Sequence, residues 1–463
     1  MVVDPGRDAA VELRGGGGPC ANLAIMDTPR TLSINVLLAA ILAAGGAAAQ
    51  VDVVELEGPV TIELSLSNPG ARSMGFGGAF VARADDATAA FGNPAGLVQL
   101  VEPELSAEFR RWSYSTPYTE GGRISGAATG RGLDTVDSLR TAESTAGLTD
   151  LSFLSFVYPK ERWSLAFYRH QLAHFEALRE TQGFFGVGPG FGGTRRFLDE
   201  RLATRVDVVV LGLAGAYRVG DALSIGLALT RFDGTLELFG EVFAPDDDSV
   251  ESHFGPNSYL AQRRVLDASI DSQAGGWGLN AGLLWKLSER WNFGWTFRQG
   301  IEIDFLAEFR AGPLLDPGIP PGTLVGLQTD SAALPEVIGF GASYQNADGS
   351  LTLGFEWDHV GYSVFEDTDD GDELHVGAEY LFLADRGPAF RPLVSLRLGA
   401  WLDPDHRFRS DRNDFERAIF RGGEDEIHLA AGVGLAFERF QIDVAADFSD
   451  LVDTISLSTI YSF

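Results

Sequence analysis

The chain has 463 residues, of which 45% are apolar and 11% aromatic, with 56 glycines, one cysteine and a formal net charge of -30. This composition is too apolar and too aromatic for a disordered chain. The excess of acidic residues excludes a nucleic-acid-binding protein, because a phosphate backbone requires a basic face.

The segment that begins at Met26 has the parts of a secretory signal peptide. Arg30 supplies the positive charge, an apolar run follows from Ile34 to Leu42, and small residues precede Gln50. The apolar run is too short to stay in a membrane as a spanning helix. The sequence therefore predicts an exported protein whose only cysteine is lost with the leader, so that disulfides cannot stabilise it.

A glycine-rich stretch, "GARSMGFGGAFVARADDATAAFGNPAGLVQL", occupies Gly70 to Leu100. It does not fit a phosphate-binding loop, because no strand precedes it and no Lys-Ser/Thr pair follows. Its glycines permit close backbone approach and left-handed backbone angles, and Asn93-Pro94 marks a turn. The glycines concerned are Gly70, Gly75, Gly77 and Gly78.

From Val101 onward apolar and polar residues alternate, which is typical of strands with two different faces. In "TISLSTIYSF" at the C-terminus, Ile455 and Leu457 share one face, and Ser456 and Ser458 share the other. A soluble β-sandwich also alternates in this way, so the pattern alone leaves a sandwich and a membrane barrel both open.

Aromatic residues and connection lengths favour the barrel. Aromatic residues stand near strand ends on the apolar side in "RWSLAFY", "RWNFGWTF" and "LTLGFEW", as in a membrane girdle. Short and long connections also alternate, as periplasmic turns and extracellular loops do, and together they separate about fourteen strands. The long connections are predicted at 115–147, 173–201, 244–263, 312–333, 366–372 and 409–424. We predict an all-β fold, a transmembrane antiparallel β-barrel.

The stretch "GARSMGFGGAFVARADDATAAFGNPAGL" resembles the N-terminal hatch of the FadL/TodX family of outer-membrane transporters of hydrophobic compounds. "LPEVIGFGASY", "LGFEWDHVGYSVF" and the terminal Tyr-x-Phe are similar to strand patterns of the same family, so the resemblance covers most of 51–463. We therefore divide the chain into an over-extended start (1–25), a signal peptide (26–49), a periplasmic N-terminal segment with the hatch (50–100) and the outer-membrane barrel (101–463).

The resemblance implies passive transport of long-chain fatty acids or aromatic hydrocarbons through a plugged barrel with lateral release. It also implies a monomer in the bacterial outer membrane, contact with lipopolysaccharide, insertion by the barrel assembly machinery, and neither a cofactor, a metal nor enzymatic activity. An outer-membrane scaffold or secretion-associated barrel is the alternative, because a related family shares the hatch motif. An outer-membrane lipase or protease is a third, more distant interpretation.

Within the predicted hatch, the gating candidates are its glycines, its acidic pair and the Asn-Pro-Ala-Gly turn. Helix capping explains the acidic pair as well as gating does. Three phenylalanines of the stretch could line the substrate path, but packing of the plug against the barrel is the stronger interpretation for them. The gating candidates are Gly75, Gly77, Gly78, Asp85, Asp86, Asn93, Pro94, Ala95 and Gly96, and the phenylalanines are Phe76, Phe80 and Phe91.

The loop "TQGFFGVGPGFGG" from Thr181 carries Phe184, Phe185 and Phe191. It either folds onto the barrel mouth or exposes these side chains to capture substrate, and we favour capture, because exposed apolar patches usually mark binding. His170 and His174 of "HQLAH" lack a third ligand, and we assign them to the ordinary surface at a strand end.

The third predicted strand, "RWSLAFYRHQL", contains neither glycine nor proline. Family members form their lateral exit at a kink in this strand, so the exit in this chain is inferred from the resemblance alone. The identity of the substrate, and of any arginine that would pair with its carboxylate, cannot be read from the sequence.

Overall fold

The structure is a computed structural model that describes residues 36–39, 55–58, 66–127, 138–187, 195–196, 199–244, 259–364, 368–383, 392–407, 417 and 422–463. Its twenty strands are β1 Val36–Ala39, β2 Glu55–Gly58, β3 Glu104–Arg123, β4 Leu139–Pro159, β5 Trp163–Thr181, β6 Phe184–Gly186, β7 Arg195–Arg196, β8 Asp199–Arg218, β9 Leu223–Phe243, β10 Arg264–Lys286, β11 Trp291–Arg298, β12 Ile301–Ala311, β13 Leu324–Leu334, β14 Val337–Gln345, β15 Leu351–Val360, β16 Gly371–Leu383, β17 Leu393–Asp403, β18 Glu426–Ala436, β19 Phe440–Phe448 and β20 Val452–Ser462. Between β2 and β3 lie two short α-helices, α1 Ala71–Gly75 and α2 Ala89–Gly92, and a 3-10 helix, Pro94–Gln99.

Strands β3 to β20 form one closed barrel, in which β20 pairs with β3. β11 and β12 are the two halves of one interrupted pass, because both pair with β10, and β13 with β14 forms the next pass. β6 and β7 are short additions at the barrel mouth, where β6 pairs in parallel with the end of β3. The barrel therefore has fourteen passes, which confirms the predicted fold class.

The two faces of each strand have the chemistry that the alternation predicts for a barrel in lipid. On β20, Ile455 and Leu457 are about half exposed, whereas Ser456 and Ser458 face the lumen and are buried. Apolar residues face outward where lipid replaces water, and polar residues face inward where they find partners. No helix among the described residues is long and apolar enough to cross a membrane.

Three of the predicted long connections are shorter than expected. β3 continues to Arg123, β5 continues to Thr181 and β13 already begins at Leu324. The outward residues of the first two of these ends include Ser113 and Ser115 of β3 and Glu176 and Glu180 of β5, because a strand that rises beyond the membrane needs no apolar outer face. The prediction mistook this loss of apolar residues for the end of the strand.

The lumen is filled by residues 66–100, which form a compact plug against the inner wall. This plug, which we call the hatch, contributes many members of the largest buried apolar cluster, together with inward-facing residues of β4, β5 and β8. Phe76, Phe80 and Phe91 are each at most 3% exposed. The core of this protein thus lies between the hatch and the barrel wall.

Candidate functional site

The hatch touches the barrel wall backbone to backbone, and glycines permit these contacts. Gly77 and Gly78 have φ angles of +67° and +78°, which residues with side chains rarely adopt. A Cβ atom on Gly77 would lie 2.5 Å from the Val376 carbonyl oxygen, and one on Gly75 would lie 2.9 Å from Cα of Gly432. A Cβ atom on Gly96 would lie 2.1 Å from the Ala84 carbonyl oxygen, so this glycine serves the internal packing of the hatch.

The wall contributes glycines of its own at the same contacts. A Cβ atom on Gly399 would lie 2.2 Å from the Gly77 nitrogen, and one on Gly294 would lie 2.3 Å from the Val81 carbonyl oxygen. Because the alternation pattern only sorts residues into inward and outward faces, it did not identify these positions. Wall glycines whose added Cβ atom would collide with the hatch are Gly226, Gly282, Gly294, Gly341, Gly354, Gly377, Gly399 and Gly432.

Asn93 joins two parts of the hatch to the wall. Its side-chain amide donates hydrogen bonds to the Val81 carbonyl (2.8 Å) and to the Leu283 carbonyl of β10 (3.1 Å), and its Oδ1 accepts one from the Ala95 backbone N–H (3.2 Å). Asn93 is fully buried, so no water competes for these groups. Pro94 follows as the first residue of the 3-10 helix, where a missing N–H costs nothing.

Replacement of Asn93 by alanine should loosen the hatch, because it leaves the Val81 and Leu283 carbonyls without the donor they now share. Loss of such a buried hydrogen-bonding group costs roughly 1–3 kcal/mol. We expect more frequent opening events in planar-bilayer recordings, with the same amount of heat-modifiable barrel in the membrane. Asn346→Ala, in the turn between β14 and β15, is the control. An N93A protein with wild-type currents would contradict a role for Asn93 in seating the hatch.

The acidic pair forms hydrogen bonds and ion pairs within the hatch, and a gating role for it stays a prediction. Asp86 Oδ1 accepts a hydrogen bond from the Thr88 backbone N–H (2.9 Å), just before α2 begins. Arg72 also forms ion pairs with Asp85 (2.8 Å) and Asp86 (3.2 Å). The pair therefore stabilises the turn before α2 and binds α1 to it.

Two arginines extend this network to the barrel wall. Arg83 of the hatch donates a short hydrogen bond to Glu379 of β16, and Arg397 of β17 binds both Glu379 (2.5 Å) and Asp443 (2.7 Å). Glu379, Arg397 and Asp443 are almost completely buried. Buried charges of this kind are tolerated only when they are paired, so removal of one partner destabilises the others. These wall residues were not singled out from the sequence.

The three hatch phenylalanines have different surroundings. Phe76 packs against wall Gly354 and Gly377, and its ring lies 5.2 Å below the Arg83 guanidinium. Phe80 is buried inside the hatch beside Gly92. Phe91 instead faces β5, with its ring centre 4.5 Å from that of His170 and 6.1 Å from that of Tyr168.

The wall is interrupted between β4 and β5. These strands pair only from Phe153↔His170 down to Pro159↔Ser164. Above this level the described part of β4 pairs with β3 alone, and β5 pairs with β8 alone. This wall break begins where the exposed apolar residues of β4 (Leu154, Phe156 and Tyr158) end, which places it at the outer boundary of the lipid-facing band.

The break coincides with an irregularity in β5 rather than with a glycine or proline. The β5–β8 register shifts between Gln171 and Ala173, so that Leu172 is an extra residue, as in a β-bulge. The Gln171 side chain donates to the Ala173 carbonyl (2.8 Å) of its own strand and to Asp207 (3.0 Å). These bonds stabilise the bulge, which a search for glycine and proline could not detect.

A cavity of about 570 Å³ lies behind the wall break. Ser144 and Ala146 of β4 and Ala177 of β5 line it on the two sides of the break, and Leu238 and Ile270 line its far side. Its volume is in the range of small-molecule binding sites. Its lining is mixed, because Glu176, Arg205, Glu237 and Asp271 border it together with the small and apolar residues.

The two histidines were placed wrongly by the sequence analysis. β5 extends beyond them, so His170 lies within the strand, faces the lumen and is fully buried between Phe91 and Phe153. His174 is partly buried and its Nδ1 lies 2.9 Å from Asp207 Oδ2. The sequence analysis ended this strand too early and therefore assigned both histidines to the surface.

Phe184 and Phe185 are buried, at 4% and 6% exposure, so the expectation of exposed side chains was wrong. β6, which contains them, pairs with Gly122 and Arg123 at the end of β3 and folds onto the barrel mouth. Both rings are buried in this arrangement, although neighbouring residues of a strand point to opposite faces. Phe191 lies outside the described residues, and a capture role for this loop stays a prediction.

Comparison with known proteins agrees with this architecture. The family model described as "Outer membrane protein transport protein (OMPP1/FadL/TodX)" matches residues 198–384. A long-chain fatty acid transport protein of Escherichia coli is 26% identical over 321 residues, which is 59% of this chain and 68% of that protein. The hatch lies outside the range that the family model matches.

Solved structures share the fold at lower sequence identity. A Pseudomonas aeruginosa FadL homologue aligns with a TM-score of 0.58 and 17% identity over 87% of this chain and 99% of its own. The Ralstonia pickettii toluene transporter TbuX aligns with a TM-score of 0.55 and 16% identity over 86% of this chain and 99% of its own. The family match, the curated relative and the shared barrel together show that this chain is similar to the FadL/TodX outer-membrane transport proteins.

Proposed function

We propose that this protein carries hydrophobic compounds passively across the outer membrane and releases them sideways through the break between β4 and β5. The observation that carries the proposal is the position of the cavity directly behind the break, with Leu238 and Ile270 among its lining residues. A hydrophobic molecule gains little from a water-filled pore, because its transfer from water to an apolar surface is what favours binding.

The level of the break supports sideways release. On β5 the exposed apolar side chains are Trp163, Leu165 and Phe167, and the ladder to β4 is lost just above them. Above this level no backbone ladder joins β4 to β5, so side chains of these two strands separate a molecule in the cavity from the outer edge of the lipid band. Because the hatch fills the lumen below, the sideways path requires less rearrangement than a path straight through the barrel.

The substrates named for the relatives indicate the class of substrate. The curated relative is a long-chain fatty acid transport protein, and TbuX is a toluene transporter. We propose a substrate of one of these two classes. A secretion-associated scaffold, the alternative from the sequence, would need no cavity behind a break in the barrel wall, so the position of the cavity favours transport.

Blocking the break should abolish most uptake. In A146W/A177W, two indoles would occupy the part of the cavity between β4 and β5. Uptake of labelled oleate and of labelled toluene by cells is measured separately. We expect uptake of the compound that is the substrate to fall severalfold, with unchanged amounts of folded barrel. L213W adds one indole on the lipid face of β8, where Leu213 is 59% exposed, and should transport normally. Normal uptake of both compounds by the double variant would overturn the proposed route.

A further inference from the structure

Three side chains with metal-binding groups meet in the lumen next to the hatch. Asp358 of β15 and Glu373 and His375 of β16 are all buried, and one ligand atom of each lies within 4.8 Å of the others. Asp358 stands directly opposite Glu373 in the β15–β16 ladder, and His375 is two residues further along the same face. Asp358 lies within "LGFEWDHVGYSVF", whereas Glu373 and His375 lie on the next strand, so the strand pairing brings the three together.

The charge of this cluster is poorly balanced. Two carboxylates face each other across the ladder, which is unfavourable for like charges, and Glu356 adds a third buried carboxylate on the same face. Two groups offset part of this charge: the Arg298 guanidinium lies 3.6 Å from Asp358 Oδ2, and His375 Nε2 lies 3.3 Å from Glu373 Oε2. Asp358 is 3% exposed, and its Oδ1 accepts no hydrogen bond from any described residue. Such a buried anion favours a cation beside it.

The histidine is oriented as a ligand. His375 Nδ1 lies 2.9 Å from the Gly77 carbonyl oxygen, which can only accept, so Nδ1 carries the proton. Nε2 lies 3.3 Å from Glu373 Oε2 and donates to it when the ring is protonated, so a metal ion bound between these two atoms would replace that proton. A carbonyl behind one ring nitrogen and a metal on the other is the usual arrangement of ligating histidines.

A hydrogen bond also orients the Glu373 carboxylate. Tyr362 donates a hydrogen bond to Glu373 Oε1 (3.1 Å), which leaves Oε2 to face His375. Donor atoms around one zinc ion lie at most about 4 Å apart, so small side-chain rotations would bring all three onto one ion. A nitrogen donor among carboxylates favours a transition metal over calcium.

We propose that Asp358, Glu373 and His375 form a site for a divalent transition-metal ion such as zinc, and that its occupation stabilises the seated hatch. The coupling follows from Gly77, a hatch residue whose carbonyl orients the histidine ligand. Metal binding and seating of the hatch are therefore coupled, and such coupling is reciprocal. An ion that favours this orientation of His375 also favours the seated hatch, because the seated hatch places the Gly77 carbonyl beside the ring.

The first test is metal binding to the purified full-length barrel in detergent. After treatment with a chelator and titration with Zn²⁺ alone, we expect one ion per chain by calorimetry and by metal analysis. Co²⁺ should give visible absorption bands of a low-coordinate site. D358N preserves the His375–Gly77 contact and should weaken Zn²⁺ binding at least tenfold, as should H375Q, and both should lose the Co²⁺ bands.

H359Q is the matched control, because His359 is an exposed histidine 2.8 Å from Asp372 on the other face of the same strand pair. It should bind Zn²⁺ like the wild type. The site is overturned if the wild type takes up no stoichiometric zinc, if D358N binds as tightly as the wild type, or if H359Q removes the binding.

The second test addresses the hatch. Zn²⁺ should lower the frequency of opening events in planar bilayers severalfold for the wild type and H359Q, but not for D358N. Stoichiometric binding without this effect would overturn the coupling. Neither test depends on uptake. The proposal of a metal site can therefore be overturned while the transport proposal stands, and the transport proposal can be overturned while the metal site stands.

Discussion

Deletion of the hatch, residues 66–100, should convert the closed barrel into a water-filled pore. The fourteen passes form their backbone hydrogen bonds with one another, so the closed ladder does not require the hatch. Without it, Glu356, Glu379, Arg397 and their neighbours would face water instead of hatch groups. A polar lumen of this width conducts ions, as in porins.

We expect single-channel conductance to rise by about tenfold or more over the intact protein, since an unplugged barrel of this class encloses an aqueous channel. Uptake of hydrophobic compounds should lose its selectivity, because the inner wall of the path is gone. Heat-modifiable migration on gels will show whether the deletion variant is folded. A folded variant that remains electrically silent would mean that another part of the chain closes the barrel.

Replacement of Gly399 by valine should prevent the hatch from seating while the barrel still folds. An added Cβ atom would lie 2.2 Å from the nitrogen and 2.4 Å from Cα of Gly77, and neither backbone atom can move without the rest of the hatch. Gly77 and its neighbour Gly78 both have positive φ angles, +67° and +78°, which residues with side chains rarely adopt.

The expected result for G399V is conductance close to that of the hatch deletion and proteolytic sensitivity within residues 66–100. G215V is the matched control, because it is also a glycine within a barrel strand, but an added Cβ would lie 3.4 Å from the nearest atom of Leu165, in ordinary contact. If G399V stays as closed as G215V, the hatch does not depend on close contact with this part of the wall.

Much of the fold followed from the residues alone. The alternation in β20, with Ile455 and Leu457 against Ser456 and Ser458, predicted the outer and inner faces that the structure shows. The alternation of short and long connections, from which about fourteen strands were predicted, is confirmed by the fourteen passes of the barrel. The upper strand ends were placed too early, as at Thr181 of β5, because outward residues above the membrane are polar and resemble a loop.

The candidate site was predicted on its hatch side only. Asn93 stood out because Asn-Pro is a turn signal, but its bond to the Leu283 carbonyl depends on a strand 190 residues away. Glu379 and Arg397 were missed for the same reason, since a charged residue facing inward looks the same in sequence whether it meets water or the hatch. Phe184 and Phe185 were expected outside because nothing in the local sequence shows the pairing of β6 with β3.

What the sequence by itself determined is therefore the period-two pattern, the strand order that follows from short and long connections, and a glycine-rich segment unsuited to a strand. These are local properties, and a barrel in lipid turns local alternation directly into inside and outside. Tertiary structure alone decided which wall positions had to be glycine, where the ladder between β4 and β5 stops, and that Asp358, Glu373 and His375 meet. These features depend on register and on contact between distant segments, which no local pattern encodes.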